Sequence, residues 1–200
     1  MSTFLNKDYF ALLGIRLDAG LSDQEVANTE DKYGFRFPPD LRELLQFGLP
    51  SGRGFVDWRN GRVEDIKYIL DGPFDGICFD IEQNNFWLDE WGEKPEILVN
   101  AFAVAKTFID KVPKLIPVYG HRYIPDSPSE AKNPIFSVVQ TDIIIYGNDL
   151  ESYLKIEFAK SNGLVPDVPT MGDKFIEFWT KLVELNNDRA AAIFEAESSI

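Results

Sequence analysis

The sequence predicts an α+β protein in which helices near both ends of the chain flank a strongly twisted central sheet. Two patterns support this class. Apolar residues recur at helical spacing towards both ends, and short β-branched or aromatic segments separated by turn residues lie between them. The chain has 200 residues, of which 44% are hydrophobic and 14% aromatic. That length and composition suit one domain whose core needs no disulfide.

The first two helices are predicted from the residues at their ends. Ser22 and Glu25 form a capping box, and the helix that follows ends at Gly34, which supplies a left-handed stop. A short extended segment leads to Pro39, which opens the second helix because a first turn cannot pair the N–H that proline lacks. Leucines at helical spacing continue that helix to Gly48.

Strands and a third helix are predicted for the middle of the chain. Residues 55–58 and 76–82 are short, rich in β-forming residues and bounded by glycine, asparagine or proline. Helical spacing of apolar residues then predicts a helix over 93–112, which Pro113 ends. Four further β-branched or aromatic segments, separated by turn residues, predict the main strands: 115–119, 122–124, 135–139 and 143–146.

Two more helices complete the predicted order. Asn148 or Asp149 caps one of them, and Asp173 caps the last. The last helix has an apolar stripe that we expect to dock on the domain, with a groove in a partner as the alternative: Phe175, Phe178, Trp179, Leu182 and Leu185. The predicted organisation is an N-terminal extension (1–20), a folded domain (21–160), a linker rich in glycine and proline (161–172) and a C-terminal helical extension (173–200).

The charge favours a basic protein as partner. The sequence has 33 acidic and 20 basic residues, a net charge of −13 and a pI of about 4.5. Such a surface repels nucleic-acid phosphates and anionic lipids. Cys78 is the single cysteine, and no apolar run approaches the ~20 residues that span a bilayer or forms the core of a signal peptide. We therefore expect a protein of the reducing cytoplasm, without contacts to membranes or nucleic acids.

Three segments resemble the SUKH superfamily, whose yeast members regulate cell-wall assembly and whose bacterial members include immunity proteins. They are residues 21–45 (LSDQEVANTEDKYGFRFPPDLRELL), 54–59 (GFVDWR) and 115–154 (LIPVYGHRYIPDSPSEAKNPIFSVVQTDIIIYGNDLESYL). The resemblance implies helices packed on one face of a curved, mixed, mostly antiparallel sheet, to which this chain adds an extra C-terminal helix. It also implies an immunity protein that binds and neutralises a toxin. A cytosolic regulatory scaffold, as in the yeast relatives, is the alternative.

Candidate contact residues come from the most acidic part of the chain. Eight acids and one base, Lys94, lie between Asp71 and Glu96, and two tryptophans stand among them at a spacing of four. Aromatic anchors beside charges are common at protein–protein hot spots. The alternative is that the tryptophans fill the core and the acids only solvate the surface. The expected contact residues are Asp71, Asp75, Asp80, Glu82, Trp87, Asp89, Glu90 and Trp91.

Catalysis, metals and cofactors are not expected. His121 and Cys78 are the only histidine and cysteine, which excludes the usual zinc sites. The sequence also lacks a nucleophile elbow and a phosphate-binding loop. Asp80, Glu82 and Asn84 alternate along an expected strand, so a carboxylate-dependent hydrolase, or a Mg²⁺ or Ca²⁺ site, stays open as a further hypothesis. Both a monomer and a homodimer are compatible with the sequence.

Overall fold

The structure, a computed structural model, describes residues 5–159 and 174–198. Its helices are α1 (Lys7–Leu12), α2 (Asp23–Tyr33), α3 (Pro39–Phe47), α4 (Val63–Gln83), α5 (Leu98–Ile109), α6 (Leu150–Phe158) and α7 (Trp179–Ser198). Its strands are β1 (Arg16–Ala19), β2 (Gly48–Ser51), β3 (Leu115–Tyr119), β4 (Arg122–Pro125), β5 (Ile135–Val139) and β6 (Asp142–Gly147). A 3₁₀ turn spans Asp89–Trp91. The predicted α+β class is confirmed.

Helices α2, α3 and α6 begin where the sequence predicts. The Ser22 hydroxyl accepts a hydrogen bond from the Glu25 N–H at 3.3 Å, and the Glu25 carboxylate accepts one from the Ser22 N–H at 2.8 Å. Gly34 ends α2 with a φ of 69°, which glycine adopts without strain. Pro39 is the first residue of α3, and Asp149 caps α6.

Strands β3 to β6 form one antiparallel sheet in sequence order, and β1 pairs with β2 in a separate ribbon. The four strands predicted for the second half of the chain are all present, and β3 and β5 have the predicted bounds. Every pairing between the described strands is antiparallel, whereas the family resemblance implied a mixed sheet.

The four-stranded sheet is covered on both faces, whereas the resemblance implied helices on one. Side chains alternate across a strand. Ile116 and Ile124 therefore point to one side, where they join a core that includes α1, α2, α3 and α6. Leu115, Tyr123 and Phe136 point to the other side and join a second core with α5, α7 and the C-terminal half of α4. The sheet lies between two helical layers.

The predicted strand over 76–82 is wrong, because these residues lie inside α4. Pro73, Ile77 and Ile81 are buried at a spacing of four, which is the spacing of one helical face. Glycine and proline in this segment resemble strand boundaries in the sequence, but here they lie within the helix.

The predicted strand over 55–58 is also wrong, although Trp58 of this segment belongs to the core. Its ring packs edge-on against Phe35 and Phe37, with centroids 5.8 and 5.3 Å apart. No described strand pairs with this segment. The aromatic residues there serve packing, and a strand needs a backbone partner in addition.

Helices α5 and α7 differ from the prediction in their bounds. Helix α5 begins at Leu98, so the helix predicted over 93–112 is confirmed in its centre. Trp179 and Leu182 are buried as predicted, whereas Phe175 is 57% exposed and does not belong to the docked stripe. The predicted linker and its neighbour Asp173 lie outside the described residues.

Both ends of the described chain pack on the domain. Phe10 and Ile15, from the predicted N-terminal extension, are buried in the first core, and β1 pairs with β2. At the other end, Asn186 of α7 donates its amide to the Thr141 carbonyl at 2.8 Å, beside the edge strand β6. This contact covers part of a sheet edge that would otherwise be open to pairing. None of the described helices has the length and apolarity needed to cross a membrane.

Candidate functional site

Helix α4 continues through Pro73 because the sheet replaces the hydrogen bond that proline cannot make. A helical residue normally donates its N–H to the carbonyl four residues earlier, so proline leaves the Ile69 carbonyl without that donor. The Tyr123 hydroxyl, on β4, donates to the Ile69 oxygen at 3.0 Å. Burial raises the pKa of Tyr123 to about 12, so its hydroxyl keeps the proton at neutral pH. The sheet thus fixes the middle of α4.

The C-terminal half of α4 is fixed to the turn between β5 and β6. A Cβ atom on Gly76 would lie 2.7 Å from the Cα atom of Gln140, so glycine allows the close approach. One turn later, the buried Asp80 carboxylate accepts hydrogen bonds from the backbone N–H and the hydroxyl of Thr141, at 2.8 and 2.6 Å. Lys94 donates to a carbonyl in the last turn of the helix at 2.9 Å. One side of α4 is therefore held firmly against the protein.

The other side of α4 presents acids and aromatic rings to solvent. At 3.6 residues per turn, six exposed side chains fall within about 80° of the helix circumference. They define the α4 face: Glu64, Tyr68, Asp71, Asp75, Phe79 and Glu82. Tyr68 is 75% exposed and Phe79 is 47% exposed. Large apolar side chains left in water beside charges are typical of protein-binding surfaces.

Three acids of the α4 face form no ion pair within the described part of the chain. Within the described ranges, no basic nitrogen forms an ion pair, at up to 4.0 Å, with Asp71, Asp75 or Glu82. Partial burial, and secondly the charge of Asp71, raises the pKa of Asp75, which shows that the two carboxylates sense each other. The face carries a negative field that favours a basic partner.

Five of the eight contact residues predicted from the sequence are exposed. Three of them lie on the α4 face: Asp71, Asp75 and Glu82. The other two, Asp89 and Glu90, lie on the 3₁₀ turn, where Glu90 forms an ion pair with Lys181 of α7. That pairing engages Glu90 within the fold, whereas Asp71, Asp75 and Glu82 form no ion pair among the described residues.

The remaining three predicted contact residues serve the fold. Asp80 and Trp91 are 4% and 5% exposed, so the structure removes both from the set that could meet a partner. Trp87 is half-buried, stacks edge-on against Trp91 with ring centroids 5.1 Å apart, and donates its indole N–H to the Gly92 carbonyl at 2.7 Å. The two tryptophans stabilise the segment after α4, which is the alternative that the sequence left open.

Sequence reasoning missed Phe79 because it assigned strand periodicity to 76–82, and it missed Tyr68 because it predicted no element over 59–75. On a strand, Asp80 and Glu82 would share a face; on a helix they lie about 200° apart, which turns Asp80 inward and Glu82 outward. The cation site considered for that strand is therefore wrong, since Asn84 instead donates its amide to the Asp80 carboxylate at 2.5 Å. The signal that could have found the face is the recurrence of acids and aromatics at helical spacing from residue 64 to 82.

The single cysteine, the single histidine and two acids have shifted pKa values. Burial raises the pKa of Cys78 to about 11, so the thiol stays protonated and weakly nucleophilic. Partial burial lowers the pKa of His121, the single histidine. Burial raises the pKa of Asp40 and Asp126, and each accepts a backbone N–H at 2.9 Å, from Lys132 and Lys114 respectively. The described residues contain no group of three side chains suited to a metal ion.

Comparisons with family models, with curated proteins and with solved structures give no match for this chain. The resemblance to the SUKH superfamily therefore stays a prediction, and the function is inferred from the geometry of the α4 face.

Proposed function

We propose that this protein is a non-catalytic immunity protein that neutralises a basic toxin by direct binding through the α4 face. One observation carries the proposal. Asp71, Asp75 and Glu82 are exposed and form no ion pair among the described residues, and two exposed aromatic rings lie on the same side of the same helix. Charge of one sign next to apolar anchors is the composition of a surface that binds a protein of the opposite sign.

The acids supply the long-range part of recognition. Opposite charges steer two proteins into contact and raise the association rate, whereas like charges exclude other partners. A toxin that acts on nucleic acid needs a basic groove for phosphates, and an acidic helix can occupy such a groove. The net charge of −13 acts in the same direction as the α4 face.

The aromatic rings supply the short-range part. Tyr68 and Phe79 are eleven residues apart, or about 16 Å along the helix axis, which suits the length of an ordinary protein–protein interface. Burying them in a partner removes apolar surface from water. Because Tyr123, Gly76 and Asp80 already hold α4 in place, binding costs little conformational entropy in this protein.

The immunity role itself comes from the SUKH resemblance, joined to the acidic surface. We infer a cytoplasmic protein that acts as a monomer or homodimer and needs no cofactor. A regulatory scaffold would use the same face with a different partner, so the identity of the partner separates the two functions. The carboxylate-dependent hydrolase would need an acid of raised pKa in a cleft. Burial raises the pKa of Asp40 and Asp126, but both accept backbone N–H groups, and the third such acid, Asp75, is exposed on α4.

The test is co-expression with the product of the neighbouring gene, scored by growth rescue and by co-purification. The test variant is Asp71→Lys/Asp75→Lys/Glu82→Lys. The matched control reverses three acids outside the α4 face, Asp31→Lys/Glu43→Lys/Glu177→Lys. Each triple variant changes the net charge by six units, from −13 to −7, so a general charge effect would act on both.

The proposal predicts rescue and a stoichiometric complex with the wild-type protein and with the control, and loss of both with the α4-face variant. Equal loss in the two variants would show that net charge, and not this face, matters. The immunity role would be refuted by the absence of rescue and complex with the wild-type protein. Co-purification with a regulatory protein in that case would support the scaffold.

A further inference from the structure

A groove of about 390 Å³ lies at the end of α2, between α4, α5 and the start of β3. Four lysines line it, although the protein as a whole has a large excess of acids: Lys32, Lys67, Lys106 and Lys114. Two acids, Asp71 and Asp110, also line it. The groove therefore carries two more positive than negative charges in a protein of net charge −13.

The remaining lining of the groove is apolar, and four of its nine residues are aromatic. Tyr33 is the last residue of α2, Phe35 follows that helix, Phe74 comes from α4 and Trp179 from α7. Small-molecule sites have volumes of roughly 300–1,000 Å³ and combine an apolar wall with a few charged or polar groups. The groove meets both criteria.

Two of the lysines are occupied within the fold. Lys114 donates to the Gly34 carbonyl, and Lys106 forms an ion pair with Asp110 in the last turn of α5. Both contacts place a cation at the C-terminal end of a helix, where the helix dipole favours it. These two lysines therefore have a structural explanation.

The other two lysines are not paired with acids. Among the residues that the structure describes, neither Lys32 nor Lys67 forms an ion pair. The nitrogen of Lys32 lies 5.3 Å from the centroid of the Tyr33 ring, and this residue is in the last turn of α2. Lys67 lies in the second turn of α4, near the N-terminal end, so stabilisation by the helix dipole does not account for it.

We propose that this groove binds a small aromatic anion, a compound with an aromatic ring and a phosphate, sulfonate or carboxylate group. The ring packs among the aromatic side chains, and the anionic group binds Lys32 and Lys67. The ammonium groups act as point charges and impose no fixed geometry on the anion. The site therefore recognises a negative charge combined with an aromatic ring and does not discriminate strongly among phosphate, sulfonate and carboxylate. The proposal does not depend on the proposed immunity function, although the groove adjoins the α4 face and shares Asp71 with it.

The experiment is isothermal titration calorimetry of the whole protein with three aromatic anions: naphthalene-2-sulfonate, indole-3-acetate and adenosine 5′-monophosphate. Adenosine and inorganic phosphate, which are the two parts of adenosine 5′-monophosphate, are titrated separately. The test variant is Lys32→Ala/Lys67→Ala, and the matched control is Lys7→Ala/Arg53→Ala, which removes the same charge from exposed positions elsewhere. Lys32→Arg/Lys67→Arg restores the charges. Amide chemical shifts by NMR locate the bound probe.

We expect at least one aromatic anion to bind the wild-type protein and the control alike, with shift changes at Trp179 and Lys114. Affinity should fall between about tenfold and a hundredfold in the double alanine variant, since each charged contact contributes strongly, and return in the double arginine variant. Binding of none of the three probes, or equal affinity in the alanine variant and the wild type, overturns the proposal. If inorganic phosphate binds as tightly as adenosine 5′-monophosphate, the proposed role of the aromatic ring is overturned.

Discussion

Replacing Tyr123 with phenylalanine tests how α4 tolerates a proline in its interior. The substitution removes one oxygen atom and leaves the ring in the core. The Ile69 carbonyl then loses the hydroxyl that donates to it at 3.0 Å. Leaving this partly buried acceptor without a partner costs about 1–3 kcal/mol. For a chain of this length each kcal/mol lowers Tm by about 2–4 °C, so we expect a fall of roughly 2–12 °C.

The assay is thermal unfolding for Tm and urea unfolding for the free energy of unfolding, both followed by circular dichroism, in a cycle with Pro73→Ala. The alanine introduced by that substitution has an N–H that can donate to the Ile69 carbonyl, so the Tyr123 hydroxyl becomes less important. We expect Tyr123→Phe to cost about 1 kcal/mol less in the Pro73→Ala background than in the wild type. Tyr68→Phe is the control. Its ring is 75% exposed and the free energy of unfolding should change by less than about 0.5 kcal/mol.

The same hydroxyl makes a prediction about alkaline pH. Burial raises the pKa of Tyr123 from 10.0 to about 12, so its contribution to stability is complete below pH 10 and is lost as the pH rises towards 12. In Tyr123→Phe this part of the alkaline loss should disappear. An equal cost of Tyr123→Phe in both backgrounds, or no cost in either, would refute the idea that the hydroxyl replaces the hydrogen bond missing at Pro73.

Three further predictions concern α4, α2 and the α4 face. Gly76→Ala places a Cβ atom 2.7 Å from the Gln140 Cα atom and should lower the free energy of unfolding, measured in urea, by about 1–3 kcal/mol. Alanine usually stabilises a helix relative to glycine, so an increase in the free energy of unfolding would contradict this prediction. The hydrogen bond from Arg59, and then those from Ser22, lower the pKa of Glu25 to about 2 from 4.5. The stability that this group contributes is therefore complete above pH 4.5 and lost as the pH falls towards 2. The difference in Tm between wild type and Glu25→Gln should shrink over that range, and a constant difference would count against the ion pair. If a basic partner is captured, its stopped-flow association rate should fall about tenfold between roughly 50 and 500 mM NaCl, and much less for the triple lysine variant of the α4 face; the same salt dependence in both proteins would exclude these acids from the encounter.

Local signals in the sequence were sufficient for much of the fold. The capping box of Ser22 and Glu25, the left-handed Gly34 and the initial Pro39 each act on backbone groups within a few residues, so they can be read without knowledge of the tertiary structure. The four strands of the main sheet were equally visible, because β-branched segments between turn residues have few alternatives. Burial of that sheet on both faces could not be predicted from the sequence, because it depends on where distant helices pack.

Helix α4 shows where local signals fail. Gly72, Pro73 and Gly76 all disfavour a helix when read alone. The helix forms because partners far along the chain compensate: Tyr123 is 54 residues from Ile69, and Thr141 is 61 residues from Asp80. Contacts at such separations leave no trace in a short window of sequence.

The candidate site divides in the same way. Net charge is a sum over residues and needs no structure, so composition alone indicated an acidic protein suited to a basic partner. Which acids face that partner depends on the direction of each side chain. Packing of α4 against the sheet turns Asp80 into the protein and leaves Glu82 in solvent, and it places the exposed Tyr68 and Phe79 beside the acids.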